Sequence, residues 1–317
     1  MFITEDACDF IGRTPILELK NLDKSIKAKV LAKMELFNPT SIKDRAVLQM
    51  VKAAMNSGKI TEDTEVVEAS SGNTAIAIAS LGAILGYKTR IFMSDICSVE
   101  RIQILNAYGA KVILTPGIEH TKGARERAIE YCKSNPNKTL FLNQHDNYEN
   151  AAAHIKNTGP EIWKQTDGDI DAVVIGLGTA GTFEGLSTYF KMKNPDIKIV
   201  AYEPAGSPVY SGGEQGNHNL IGVGPGFVTE NFIRARKNLD EIILVEDETA
   251  FEWARLIARK EGILVGTSSA ASAWTAFQLT QRPEFENKTI LCFFYDTGER
   301  YLSSEGLFPA DNVERIG

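Results

Sequence analysis

The sequence predicts an α/β protein of two doubly wound lobes with mostly parallel sheets and an active site in the cleft between them. Three observations lead to this. Short apolar strands alternate with amphipathic helices almost from end to end, which implies crossover units whose parallel strands are covered on both faces. Stops such as Gly86-Tyr87-Lys88 and Gly109-Ala110-Lys111 recur between a helix and the next strand, where a glycine in the left-handed region ends the helix. The 317 residues exceed one small module and suit two lobes.

The apolar run after residue 29 supplies the first strand, at 30–36, and the amphipathic stretch at 44–56 the first helix. Strand 65–69 then feeds helix 73–85, strand 89–93 feeds helix 99–108, and strand 111–114 feeds helix 122–133. Strand 139–143 ends the series at a polar stretch, 143–150, where the lobe boundary is placed. Residues 40–146 are expected to form a smaller, mobile lobe, and residues 1–39 with 147–317 a larger one. Helix 151–163, strand 172–176, helix 182–192 and strand 197–202 follow. Residues 203–231, rich in Gly and Pro, are the least regular segment and could line or cover a cleft. Strand 241–245, helices 249–260 and 270–278 and strand 289–294 complete the pattern.

With 43% hydrophobic and 24% charged residues, the composition is that of an ordinary soluble globular protein. A net charge of -7 excludes a dedicated nucleic-acid binder, which needs a basic face. Small anions remain possible ligands, because local dipoles hold them. The start, Met1-Phe2-Ile3-Thr4-Glu5-Asp6, lacks the apolar stretch of a signal peptide. No apolar run approaches the roughly 20 residues of a membrane span. No membrane association and a cytoplasmic location are therefore expected. Cys8, Cys97, Cys132 and Cys292 form no CxxC, and His120, His145, His154 and His218 form no HExxH. No metal site is expected.

Chemistry is expected in the strand-to-helix turns at the carboxyl ends of the strands. Lys43, in Asn38-Pro39-Thr40-Ser41-Ile42-Lys43-Asp44-Arg45, stands at a helix start. The positive end of the dipole and partial burial both favour a neutral amine there, the form that condenses with an aldehyde. A solvated lysine in a first turn is the plainer alternative.

Gly176-Leu177-Gly178-Thr179-Ala180-Gly181-Thr182 follows an apolar strand and opens a helix, as an anion site does. It also satisfies G-x-G-x-x-G, with Glu203 placed to hold a ribose, so a dinucleotide competes. The hydroxyls of Thr179 and Thr182, and Pro204 after Glu203, favour a compact phosphate monoester. Glu68-Ala69-Ser70-Ser71-Gly72-Asn73-Thr74 is a second such turn, suited to a substrate carboxylate. Ser71 or Asn73 as a plain helix cap is its alternative. Gln144 would face the same crevice unless it is a surface amide. In Gly266-Thr267-Ser268-Ser269-Ala270, Ser268 taken alone reads as a cap.

Together these segments resemble the cysteine synthase and cystathionine β-synthase branch of the fold-type II pyridoxal phosphate enzymes, which share a tryptophan synthase β-like fold. The likeness runs nearly the whole length. It includes Ile11-Gly12-Arg13-Thr14-Pro15, Ser98-Val99-Glu100-Arg101, Thr158-Gly159-Pro160-Glu161-Ile162-Trp163, Ser211-Gly212-Gly213, Gly262-Ile263-Leu264 and Gly298-Glu299-Arg300-Tyr301-Leu302 besides the turns above.

By that resemblance Lys43 is the catalytic and Schiff-base lysine, and Asn73 lies beside the cofactor's ring hydroxyl. Gly178, Thr179, Ala180, Gly181 and Thr182 form its phosphate cup, and Ser268 faces its ring nitrogen. Ser70, Ser71, Gly72, Thr74 and Gln144 take the substrate carboxylate. A neutral serine at the ring nitrogen favours prompt loss of a β-leaving group. The implied reaction is cysteine synthesis from O-acetyl-L-serine and sulfide, through an α-aminoacrylate and with ping-pong kinetics.

A β-replacement or elimination enzyme using serine, O-phosphoserine, homocysteine or cysteine is the nearest rival. A nicotinamide-dependent oxidoreductase and a catalytically inactive binding protein are remoter ones. The resemblance also implies a homodimer and, in some cysteine synthases, the C-terminal tail of serine acetyltransferase as partner. Departures include a lysine loop one residue short of Asn-Pro-Gly-Gly-Ser-Val-Lys, Ala69-Ser70 for Pro-Thr, Ala75 for Gly and Ala180 for Gly. They bear on the donor substrate rather than on the cofactor. Ala180 is expected to be harmless at negative φ and strained otherwise.

Overall fold

The structure, a computed structural model, describes residues 3–310. Residues 1–2 and 311–317, the ends of the larger lobe expected from sequence, lie outside the described residues. The first half contains β1 (Ile16–Glu18), β2 (Lys29–Lys33), α1 (Lys43–Asn56), β3 (Glu65–Ala69), α2 (Asn73–Leu85) and β4 (Lys88–Ser94). It continues through α3 (Val99–Ala107), β5 (Lys111–Thr115), α4 (His120–Ser134) and β6 (Thr139–Phe141). Then come α5 (Tyr148–Ala153), a π-helical turn (His154–Thr158), α6 (Gly159–Gln165), β7 (Ala172–Gly176), α7 (Gly181–Lys193) and β8 (Lys198–Pro204). The chain ends with α8 (Glu230–Ala235), β9 (Glu241–Val245), α9 (Asp247–Glu261), α10 (Thr267–Thr280) and β10 (Thr289–Phe293).

The strands make two sheets, in the orders β1-β2-β10-β7-β8-β9 and β5-β4-β3-β6. Every pairing is parallel except β1 with β2. The expected fold class, two mostly parallel doubly wound sheets, is the observed one. Strand periodicity explains the smaller sheet: Val66 packs with Val47, Ile76 and Ile78 on one face, and Val67 with Phe92, Ala124 and Ala128 on the other. Val173, Val174 and Ile175 of β7 and Leu291 and Phe293 of β10 sit with Phe183 and Phe190 in the larger core.

The sequence reading departs from the structure in several elements. The strand expected at 30–36 stops at Lys33, because Lys33 and Glu35 are ionic residues buried in a network rather than members of an apolar run. The helix expected at 151–163 is divided by the π turn. A Cβ at Gly185 would collide with Ala151 O and His154 Cβ, so α7 lies tight against this point and the extra residue of the π turn sits there. The strand expected at 139–143 ends two residues early, and Asn143 is left-handed at φ +54°. Two short elements, β1 and α8, had no periodic pattern long enough to read.

Candidate active site

A cavity of about 230 Å³ opens between the two sheets, lined by the turns after β3 and β7, the start of α10 and Lys43. Lys43 is the first residue of α1. Its two neighbours anchor it. The Asp44 carboxylate accepts from Thr40 N at 2.7 Å and Ser41 N at 3.2 Å, folding the short loop back on the helix start. Arg45 is held by Glu35 at 2.6 and 2.8 Å and by Glu161 at 2.9 and 3.0 Å. Lys43 itself has no ion pair among the described residues. Burial pushes its amine below the ordinary lysine value, and the Asp296 carboxylate opposes this only in part. An amine shifted in that direction, in a cavity, is better suited to act as a nucleophile and a base. The solvated-lysine alternative is closed.

The turn after β3 does not end in a side-chain cap. The residue before α2 is Gly72, without a side-chain bond, so the plain-cap reading of Ser71 or Asn73 does not hold. Ser70, Ser71, Gly72, Asn73 and Thr74 all line the cavity, and α2 begins among them. Thr74 Oγ1 donates to Gln144 Oε1 at 2.6 Å. Gln144 is therefore a buried member of the wall and not a surface amide. Its backbone is pinned from below: Glu68 accepts from Gln144 N at 3.1 Å and Ala69 N at 2.8 Å. Burial pushes the Glu68 carboxyl up to about 7.

The turn after β7 has the bare backbone that an anion cradle needs. A Cβ at Gly178 would collide with Gly222 O, so the backbone must be bare there. Thr179 Oγ1 is held by Asn150 Nδ2 at 3.0 Å, and Thr182 Oγ1 lies 3.2 Å from His154 Nε2. Ala180 adopts φ +57°, the strained case anticipated for an alanine there. Gly178, Thr179, Ala180 and Thr182 line the cavity. Gly181 does not; it packs against Asn150, where a side chain would clash.

Glu203, the residue a ribose would need, is buried and fully engaged. It accepts from Tyr210 N at 2.9 Å, Ser211 N at 2.8 Å and Ser211 Oγ at 2.5 Å. The dinucleotide reading fails on that geometry. Pro204, expected in a turn, ends strand β8.

Ser268 lies in the first turn of α10, and its hydroxyl is 3.6 Å from where a Cβ on Gly222 would stand. It is not the cap, which is Gly266. Asn73 lines the wall with its amide already used: Nδ2 donates to Asp296 Oδ2 at 2.6 Å, and Oδ1 accepts from Arg300 at 2.7 Å. Sequence reasoning missed Asp296, Arg101, Thr121, His145 and Tyr295, of which all but Asp296 line the cavity, whereas the lining segment 221–225 falls in the stretch expected to line or cover a cleft. Only the position of His145 beside Gln144 could have pointed to one of them.

A free amine, a bare-backbone anion cradle at a helix start and a hydroxyl across the cavity suit an aldehyde bearing a phosphate. The sequence profile of the pyridoxal-phosphate dependent enzymes matches residues 7–296. The chain belongs to that family.

Within the family, it is 41% identical over 307 residues to a probable cysteine synthase of Bacillus subtilis, covering 96% of this chain and 97% of that protein. The cysteine synthase (OASS) of Entamoeba histolytica superposes with a TM-score of 0.92 at 37% identity, over 100% of this chain and 93% of the other. The O-acetylserine dependent cystathionine β-synthase of Helicobacter pylori superposes at 0.90 with 35% identity, over 97% and 100%. As a member of that family, the chain is a pyridoxal-phosphate dependent enzyme. Among the described residues no helix is long and apolar enough to cross a membrane.

Proposed function

We propose that this chain is a cysteine synthase, converting O-acetyl-L-serine and sulfide into L-cysteine and acetate. The observation that carries the reading is Lys43: a buried amine that burial pushes below the ordinary lysine value, held by its neighbours on the wall of a cavity that the bare-backbone turn after β7 also lines. Similarity to cysteine synthases over nearly the whole chain supports it.

Pyridoxal phosphate bound here supplies an aldehyde for the lysine and an electron sink for the Cα–H bond of an amino acid. Gly178, Thr179, Ala180 and Thr182 would hold its phosphate, joined by the helix start at Gly181. Ser268 would face the ring nitrogen and Asn73 would lie beside the ring. Ser70, Ser71, Thr74, the N–H groups from Gly72 onward and Gln144 orient the substrate carboxylate. The Lys43 amine would take the Cα proton as acetate leaves Cβ. After sulfide adds to Cβ, the same amine returns the proton to Cα. Ser268 offers a neutral hydroxyl and no acid, so the ring nitrogen is not forced to carry a proton. Closure of residues 40–146 over the substrate would exclude water from these steps.

The same reading extends to a homodimer in the cytoplasm, with the serine acetyltransferase tail as a partner for the carboxylate turn. Light scattering on the purified protein tests the first, and competition between a tail peptide and O-acetylserine the last.

The deciding experiment is a panel of donors and acceptors on purified holoenzyme. Cysteine formed from O-acetylserine and sulfide, and lost in Lys43→Ala, is the expected result. Homocysteine outperforming sulfide as acceptor would move the reading to cystathionine synthesis, the reaction named for the Helicobacter pylori neighbour. Normal turnover in Lys43→Ala would refute the assigned role.

A further inference from the structure

We propose that His145 is a specificity-determining residue of this cavity, its imidazole hydrogen-bonding the oxygen attached to Cβ of the donor amino acid. This deepens the reading above and rests on it. His145 lines the cavity and is only 6% exposed. Among the described residues its ring makes no hydrogen bond, and only burial and nearby charges act on it. A buried polar ring without a protein partner, in the wall of a cavity, is one that a ligand or water can satisfy.

Position says which part of a ligand it meets. His145 follows Gln144, which is bound to Thr74 of the carboxylate turn. An amino acid held there by its carboxylate shares the cavity with the next residue of the same loop. Phe227 packs on the imidazole at 5.1 Å between ring centres, and Asn231 N donates to the His145 carbonyl at 3.5 Å, so ring and backbone are both braced.

Chemistry says what it does there. Burial pulls the imidazole down to about 4, Arg125 and Lys43 adding to this against Asp146. At neutral pH the ring therefore carries one donor and one acceptor and no charge. It is too weak a base to activate a thiol and has no imidazolium proton for the departing group. Recognition of an ether or ester oxygen by the ring N–H is the role left to it.

The test uses two amino acids of the same shape, O-methyl-L-serine and L-norvaline, which differ by an oxygen for a methylene at the atom attached to Cβ. Their binding to the holoenzyme is followed by its visible absorption, in the wild type, His145→Phe and His145→Asn. The wild type should favour the ether by roughly three- to tenfold, the range for one neutral hydrogen bond. His145→Phe keeps a planar ring against Phe227 and should bring the ratio to about one with norvaline affinity little changed; His145→Asn, which keeps a donor, should restore part of the preference.

A preference that survives in His145→Phe, or affinities for both ligands that fall together, would overturn the proposal. So would a wild type with no preference. If His145→Phe fails to fold, His145→Leu replaces it with the same expectations. Wild-type turnover of O-acetylserine with sulfide is measured in parallel. Its absence sinks the parent reading, whereas normal turnover with an unchanged binding ratio sinks only the role of His145.

Discussion

Asn73 Nδ2 lies 2.6 Å from Asp296 Oδ2, joining the first residue of α2 to the segment after β10. The Tyr301 hydroxyl donates to the same carboxylate oxygen, and Arg300 donates to Asn73 Oδ1 at 2.7 Å. This cluster ties the two sheets together beside the cavity. The other oxygen, Asp296 Oδ1, is buried without a partner among the described residues. Burial raises the carboxyl above its ordinary range, against the pull of Tyr301, Asn73, Arg300 and Lys43.

Replacing Asp296 by Ala removes the acceptor of two buried donors. It should lower stability by about 2 kcal/mol, measured by urea unfolding. Asp296→Asn keeps an acceptor and drops the buried charge, so it should lose much less. Equal losses in the two variants would show that the acceptor is not what matters.

Arg45 is the centre of a second buried cluster, with Glu35, Glu161, Thr14 and, through Glu161, Lys33. Arg45→Met strands Glu35, which is fully buried, and should destabilise by about 3–5 kcal/mol. The effect on pH dependence has a definite sign. Burial raises the Glu161 carboxyl, but Arg45 and Lys33 outweigh this and hold it at about 2, below its ordinary 4.5. Its contribution is present above pH 4.5 and is lost as pH falls toward 2. Thermal unfolding followed across that interval should show a shallower acid slope in Arg45→Met than in the wild type.

Glu68 works in the opposite direction. Its carboxyl rises from 4.5 to about 7 on burial. The stability linked to its protonated form is complete below pH 4.5 and disappears as pH climbs through 7. The full effect is about 3 kcal/mol. Glu68→Gln, neutral at every pH, should flatten the melting temperature between pH 5 and 8, by about that amount at the alkaline end. An unchanged profile would mean that another group sets the slope.

Two positions of the anion cradle should respond in opposite ways. Ala180, at φ +57°, is strained by its Cβ, so Ala180→Gly should stabilise by roughly 0.5–1 kcal/mol. Gly178→Ala drives a Cβ into Gly222 O. It should lower the bound pyridoxal phosphate, read from the visible absorbance per mole of protein, by an order of magnitude or more. Full cofactor content in Gly178→Ala would place the phosphate elsewhere.

Much of this architecture was legible because it depends on neighbours in sequence. Period-two alternation puts Val66 and Val67 on opposite faces of one strand whatever they later touch. A strand running into Gly-x-Gly-Thr and then a helix leaves bare N–H groups at that helix start in any fold. The same locality made Lys43 readable as the first residue of its helix, and the three polar turns readable as one set.

The tertiary structure decided whatever depends on a distant partner. Lys33 and Glu161 meet across 128 positions, and Asn73 and Asp296 across 223. No local pattern announces that a lysine inside an apolar run will be buried on an ion pair. Glu203 had the right spacing for a ribose, and only packing showed its carboxylate consumed by Tyr210 and Ser211. His145 is one more polar residue in a loop until Phe227 and the cavity enclose it. The sequence by itself therefore determined the alternation of elements and the kind of chemistry each turn can hold, because backbone geometry is local. Which of those groups are free to react was settled by folding, because burial and pairing depend on residues brought together from far along the chain.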